Sequence, residues 1–104
     1  MSVARINMVD WRSEEVFVEK TKNTASTMRQ SFPNAEIMLR IKTTPTSVVA
    51  ISVYPNQEKA DEARVELDKR MSDYGDGVKD HWFLEGEVIS AHINEEWVQK
   101  SINK

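Results

Sequence analysis

The chain contains no cysteine. That alone excludes disulfides, thiolate metal centres, iron–sulfur clusters and cysteine nucleophiles, and it fits a reducing compartment. Glycine and proline are scarce, three of each in 104 residues, so long structureless linkers are not expected. No apolar run approaches the roughly 18 residues that a membrane span needs. The opening residues, MSVARINMVDW, lack the uninterrupted apolar stretch of a signal peptide. The expectation is a cytoplasmic protein with no membrane contact. No block of one charge sign occurs either: 14 basic and 17 acidic residues are interspersed, for a net charge of −3. A basic footprint for nucleic acid is therefore missing, and no nucleic-acid partner is expected. Nucleophile elbows of the G-x-S-x-G type, phosphate-cradling glycine loops and H-E-x-x-H are all absent. The two histidines, His81 and His92, do not make a metal site alone. No metal and no tightly held cofactor are expected.

What the chain does have is a succession of periodicities, which predict one domain over residues 1–104 with a modest core. Residues 3–11, VARINMVDW, alternate as a half-buried strand does. Residues 13–31 change to a helical period, with Phe17, Thr21, Thr24 and Met28 on one stripe. Ser13 suits the N-cap and Pro33–Asn34 the stop. AEIMLRIK (35–42) and SVVAISVY (47–54) read as two strands joined by TTPTS, short enough for a hairpin. The second is nearly continuously apolar and is expected at the centre. A second helix is predicted over QEKADEARVELDKRMSDY, capped by Asn56 and closed by Gly75. Its apolar stripe is Ala60, Ala63, Leu67, Met71 and Tyr74; its wet side includes Glu66, Asp68 and Arg70. DGVKDHWFLEG is expected to form a connection with one helical turn, Trp82 and Phe83 sealing the sheet end. GEVISAHI (86–93) alternates again and is predicted as the last strand, followed by a polar tail carrying Trp97.

The order β-α-β-β-α-β predicts an α+β fold of the ferredoxin-like, split βαβ type. Four antiparallel strands would lie in the order 4-1-3-2, with two helices on one face. The more apolar strand faces, Ala4/Ile6/Met8, Ile37/Leu39/Ile41, Val49/Ile51/Val53 and Ile89/Ala91/Ile93, are expected beneath the helices. The opposite face would then carry Val3, Arg5, Asn7 and Val9, Met38, Arg40 and Lys42, Val48, Ala50, Ser52 and Tyr54, and Val88, Ser90 and His92. Such a mixed surface invites a cover, most simply a second copy through a two-fold axis. A homodimer through the open sheet face is expected.

The length, the element order, the mixed face and the passage ISVYPNQEKADEA resemble the dimeric α/β-barrel superfamily, which includes the antibiotic-biosynthesis-type monooxygenases and the stress-responsive barrel proteins. The resemblance implies two sheets packed face to face across a dimer, and an enzyme or binder of a small organic molecule. Haem-degrading members carry a first-strand asparagine, as this chain does at Asn7. They also carry a tryptophan and a histidine in the region after the third strand and the second helix, where the helix 57–74 has neither.

The candidate site residues follow from these placements. With the third strand taken as parallel to the first and the fourth as antiparallel, Arg5, His92 and Arg40 would form a cationic row beside Ala50, able to hold an anion. Asn7, Ser52 and Tyr54 would form a polar cluster able to orient a carbonyl or a phenol. His81, beside Trp82 at the mouth of a helix–sheet pocket, would serve as acid or base. For the row and the cluster the alternative is structural, hydrogen bonds and ion pairs that only specify a dimer; for His81 it is a solvated histidine, with Trp82 filling a gap at the sheet end. Two functions stay open, a small-molecule enzyme or binder and a non-catalytic dimerisation or ligand-sensing module. An enclosed pocket of several hundred cubic ångströms lined by histidine and arginine would favour the first.

Overall fold

Asn56 and Ser13 begin the two long helical stretches as their side chains require. Asn56 Oδ1 accepts from the Lys59 amide at 2.9 Å, and Ser13 Oγ accepts from the Val16 amide at 3.1 Å. Each satisfies an amide that has no partner within its helix. A computed structural model describes residues 1–22 and 24–102. The elements are β1 (Val3–Trp11), α1 (Glu14–Thr21), α2 (Thr24–Ser31), β2 (Ile37–Thr44), β3 (Ser47–Tyr54), α3 (Gln57–Tyr74), a 3-10 turn (Gly75–Gly77), β4 (Val78–Glu87) and α4 (Glu95–Ile102). The sheet order is β2-β3-β1-β4, as predicted. All three pairings are antiparallel, so the parallel relation expected between the first and third strands is corrected. The long helix predicted over 13–31 is two helices. Among the described residues no helix is long and apolar enough to cross a membrane.

The predicted last strand is displaced. VKDHWFLEGE, read as a connection with a helical turn, is β4, while residues 88–94 pair with no strand. The length of β1 explains this. Helix α3 ends beside Trp11, whose ring meets Tyr74 edge-on at 4.8 Å. After one 3-10 turn the chain is already at the end of β1, and Val78 pairs with Trp11. Pairing runs back to Glu87 opposite Val3, and one last bond joins the Val88 amide to the Ser2 carbonyl at 2.9 Å. Beyond that point β1 has no residue left to offer. The alternation in GEVISAHI therefore has no sheet to join, and Ile89 is 92% exposed.

The predicted faces are inverted. Val3, Arg5, Asn7 and Trp11 of β1 and Val48, Ser52 and Tyr54 of β3 are buried beneath the helices. The uniformly apolar side, with Ile6, Ile41 and Leu84, lies open. At one end of the covered face, Val3, Tyr54, Phe32, Ala60 and Ala63 form the core, with Met28 and Met38 against it. At the other end Trp11 packs on Phe17 and Tyr74. The stripe predicted on α3 is the one that faces the sheet, and Ala60 and Ala63 are its buried members. Two alanines there let the helix lie close to the sheet at the Tyr54 end.

Candidate functional site

Strand register brings small residues to the middle of the covered face. Across the sheet, Phe83, Asn7, Ala50 and Arg40 stand in one row, and Glu85, Arg5, Ser52 and Met38 stand in the next. Side chains two apart along a strand share a face, so both rows point toward the helices. At the centre of this surface Ala50 and Ser52 leave volume that larger residues would fill. A hollow of about 100 Å³ lies there, between the packed ends. Its floor includes Ala50 and Ser52, and Leu67, Arg70 and Met71 of α3 lie over it.

Arg5 reaches across this space and is fixed. It is 1% exposed. Its Nη2 donates to the Ala60 carbonyl at 2.7 Å and to Glu85 Oε2 at 3.1 Å, and its Nε donates to the same carboxylate oxygen at 3.2 Å. The guanidinium also lies over the Tyr54 and Phe83 rings, at 5.6 and 6.0 Å. The second oxygen of Glu85 accepts from Gln57 Nε2 at the start of α3. One buried arginine thus ties β1, β4 and the first turns of α3 together. The partner expected for Arg5 was His92; the register puts Glu85 beside it instead.

Asn7 is 7% exposed and lines the hollow. Its Oδ1 has no hydrogen-bond partner among the described residues. A buried acceptor left unpaired is costly. Ser52 and Tyr54, 4% and 1% exposed, complete the predicted polar cluster. It assembles on the helix side rather than on the open face.

Arg40, on edge strand β2, lines the hollow and stays exposed. Burial lowers its pKa; Tyr74 opposes that shift, and the charge of Arg70 adds to it. Arg70 was assigned to the wet side of α3. It is half-buried and donates from Nη2 to Ser31 Oγ at 2.6 Å and Thr27 Oγ1 at 3.2 Å, with Glu66 Oε1 3.8 Å from its Nε. The signal was present in the sequence: Ala63, Leu67, Arg70 and Tyr74 follow one another at steps of four, three and four, so Arg70 lies on the stripe that faces the sheet.

The remaining predicted site residues separate. His81 sits on the covered face of β4 but outside the lining of the hollow, with its ring 6.5 Å from that of Phe83. Its Nε2 is buried and unpaired among the described residues. Burial lowers its pKa, against the opposing pull of Asp68 and Asp80. The folded chain therefore binds this proton less readily than the unfolded chain does. The stability this gives is present above about pH 6.5 and is lost as pH falls through the lower folded value. In thermal denaturation between about pH 7.5 and 5, His81→Gln is expected to flatten the acid-side loss of stability. An unchanged slope would assign that loss to other groups. Trp82 points to the open face, 44% exposed, and does not seal the sheet end. His92 lies on the exposed arm beyond β4, away from Arg5. The predicted row of Arg5, His92 and Arg40 does not form. Arg40 instead shares its row with Asn7.

No family model matches the sequence, and no curated protein matches it. Solved structures match its fold. A dimeric ferredoxin-like protein from an uncultured marine organism is 15% identical, covering 89% of this chain and 92% of that one, with a TM-score of 0.70. A protein from Mycobacterium tuberculosis is 10% identical over 88% of this chain and 98% of its own, with a TM-score of 0.72. A variant of SnoaB, a cofactor-independent oxygenase from Streptomyces nogalater, is 15% identical over 86% and 95%, with a TM-score of 0.63. With four antiparallel strands in the order β2-β3-β1-β4 and helices over one face, the chain has the ferredoxin-like α+β fold that these solved structures share.

Proposed function

We propose that the chain is a homodimer that holds a small organic molecule in the hollow between sheet and helices. The observation that carries this reading is Asn7: a buried acceptor without a partner among the described residues, lining a hollow beside Ser52, Tyr54 and Arg40. Polar groups converging on an otherwise apolar concavity are the usual make-up of a ligand site. The volume, about 100 Å³, is smaller than the several hundred cubic ångströms common for such sites, and it suits a ligand of one ring. In this reading Asn7 accepts a hydrogen bond from the ligand, and Tyr54 and Ser52 bound the polar side. Arg5 holds the walls and is not free to bind, since Glu85 and the Ala60 carbonyl engage it. The dimer is carried by the open face, where Ile6, Ile41, Trp82 and Leu84 expose apolar area that a second copy would cover.

SnoaB, which shares this fold, is a cofactor-independent oxygenase, and a catalytic reading would use the same hollow. His81 is neutral at pH 7 by its lowered pKa and would be the base in such chemistry, but it stands outside the lining. Binding is the function better supported by the geometry. The competing reading is an assembly module in which the polar residues only organise the fold.

A thermal-shift screen with small aromatic acids, quinones, haem and flavins separates the two. A ligand at a hundredfold excess over its Kd stabilises by about 2.7 kcal/mol, a rise on the order of 10 °C for a domain of this size. The rise is expected in the wild type and is expected to vanish in Ala50→Leu, which places a larger side chain on the floor of the hollow. A ligand that stabilises both proteins equally would put the site elsewhere. A screen without any stabilised species would favour the assembly module.

A further inference from the structure

The charges around the hollow do not balance. Three arginines line it, Arg5, Arg40 and Arg70, and no carboxylate is among the lining residues. Arg5 is neutralised by Glu85 at 3.1 Å, and Arg70 has Glu66 at 3.8 Å. Arg40 has no hydrogen bond and no ion pair among the described residues. The other titratable groups at the hollow are Tyr54 and Tyr74. A guanidinium stays charged in a protein; Arg40 is an exposed residue that lines the hollow, so its charge is solvated and open to an anion from outside. One positive charge is therefore left over at the β2 side of the hollow.

The position of that charge is fixed by register. Arg40 pairs with Ala50, and Ala50 pairs with Asn7. The two strand spacings between Arg40 and Asn7 come to roughly 9–10 Å at the backbone, with only an alanine side chain between them. The unpaired cation and the unpaired acceptor thus stand on either side of Ala50 in one row, across the hollow floor.

We propose that the ligand of this hollow is a small organic acid bound as its anion, its carboxylate on Arg40 and a hydroxyl or amine donor at its other end on Asn7 Oδ1. This rests on the reading of the hollow as a ligand site and adds the charge and the orientation of what it binds. A planar guanidinium grips a carboxylate with two parallel hydrogen bonds, and Asn7 selects for a donor at the far end. Arg70, held by Ser31 and Thr27, raises the local positive potential without giving up its own partners.

The test compares 4-hydroxybenzoate with 4-hydroxybenzamide, which share the ring and the phenol donor and differ in charge. Binding is measured by titration calorimetry on the full chain at low ionic strength. The wild type is expected to bind the acid at least about tenfold more tightly than the amide, the scale of a hydrogen bond to a charged group. Arg40→Gln is expected to remove that difference and leave amide binding within about twofold, and Arg40→Lys to restore part of it. Asn7→Leu is expected to weaken both probes together. Equal affinity of the wild type for acid and amide, or an acid preference that survives in Arg40→Gln, would overturn the anion assignment while leaving the hollow as a site. Ala50→Leu tests the hollow itself: if both probes bind this variant as well as they bind the wild type, the hollow is not the site and the anion proposal falls with it. Failure of both probes to bind the wild type would overturn both statements.

Discussion

Ile6→Arg is expected to turn the proposed dimer into a monomer. Ile6 lies on the open face of the central strand β1, opposite Ile51 of β3 and Leu84 of β4. Its neighbours on that face are Ala4, Met8, Val49 and Val53, so the substitution places a guanidinium in the middle of an apolar surface. Within one protomer the cost is small, because Ile6 is 36% exposed and the arginine reaches water. Between two protomers the cost is large, because the two-fold axis brings each substitution in twice and no acid on this part of the face can pair with it. Two buried unpaired charges cost several kcal/mol, enough to weaken association by about a thousandfold or more. Analytical ultracentrifugation at micromolar concentration would read a halved mass with unchanged far-ultraviolet circular dichroism. A variant that remains dimeric would place the interface elsewhere, and a wild type that is monomeric under the same conditions would remove the barrel arrangement altogether.

Glu85→Ala is expected to be the most destabilising change on the covered side. It leaves Arg5 buried with one strong acceptor, the Ala60 carbonyl, and without a compensating charge. Removing one partner of a buried ion pair costs about 3–5 kcal/mol. The Glu85 side chain keeps 21% of its exposure, so the lower end of that range applies. For a domain of this size that is a fall on the order of 12 °C or more in Tm. Replacing both partners, Arg5→Met with Glu85→Leu, is expected to recover much of the loss, since an apolar pair leaves no buried charge. Denaturant melts of the three proteins decide the matter. If Glu85→Ala costs less than about 1 kcal/mol, the pair is a surface bridge in effect, and the tie it makes between β1, β4 and α3 is not a main support of the fold.

The inverted faces show where reading from hydropathy alone goes astray. Ile37, Leu39 and Ile41 or Val49, Ile51 and Val53 look like residues that seek the helices. Arg5, Asn7, Ser52 and Tyr54 look like residues that seek water. Hydropathy reports which side of a strand is covered only when one side faces water. Here the helices cover the polar side, which holds polar groups because they have partners there or line a hollow, and the apolar side is the one left open. Arg5 is stable inside because Glu85 and a carbonyl meet it, and nothing in local sequence says that residue 85 lies opposite residue 5. The same holds for β4. Phe83 and His81 on one face and Trp82 and Leu84 on the other break the alternation that marks a half-exposed strand, because the open face of this strand also carries large apolar side chains.

By itself the sequence determined the element order, the caps at Ser13, Asn56 and Gly75, the stripe on α3, the sheet order and, residue by residue, most of the polar group that lines the hollow. These are local or combinatorial properties: hydrogen-bond geometry near a helix end, side-chain period, and the few topologies that short connections allow. Only the tertiary structure decided which face the helices cover, where the last strand begins and which cation is left without a partner. Those depend on register, and a shift of one residue sends a side chain to the other face of the sheet. Pairing of β4 with β1 ends at Glu87 and leaves His92 outside the sheet, the β1–β4 register puts Glu85 beside Arg5, and the β1–β3 and β2–β3 registers leave Arg40 and Asn7 on either side of Ala50.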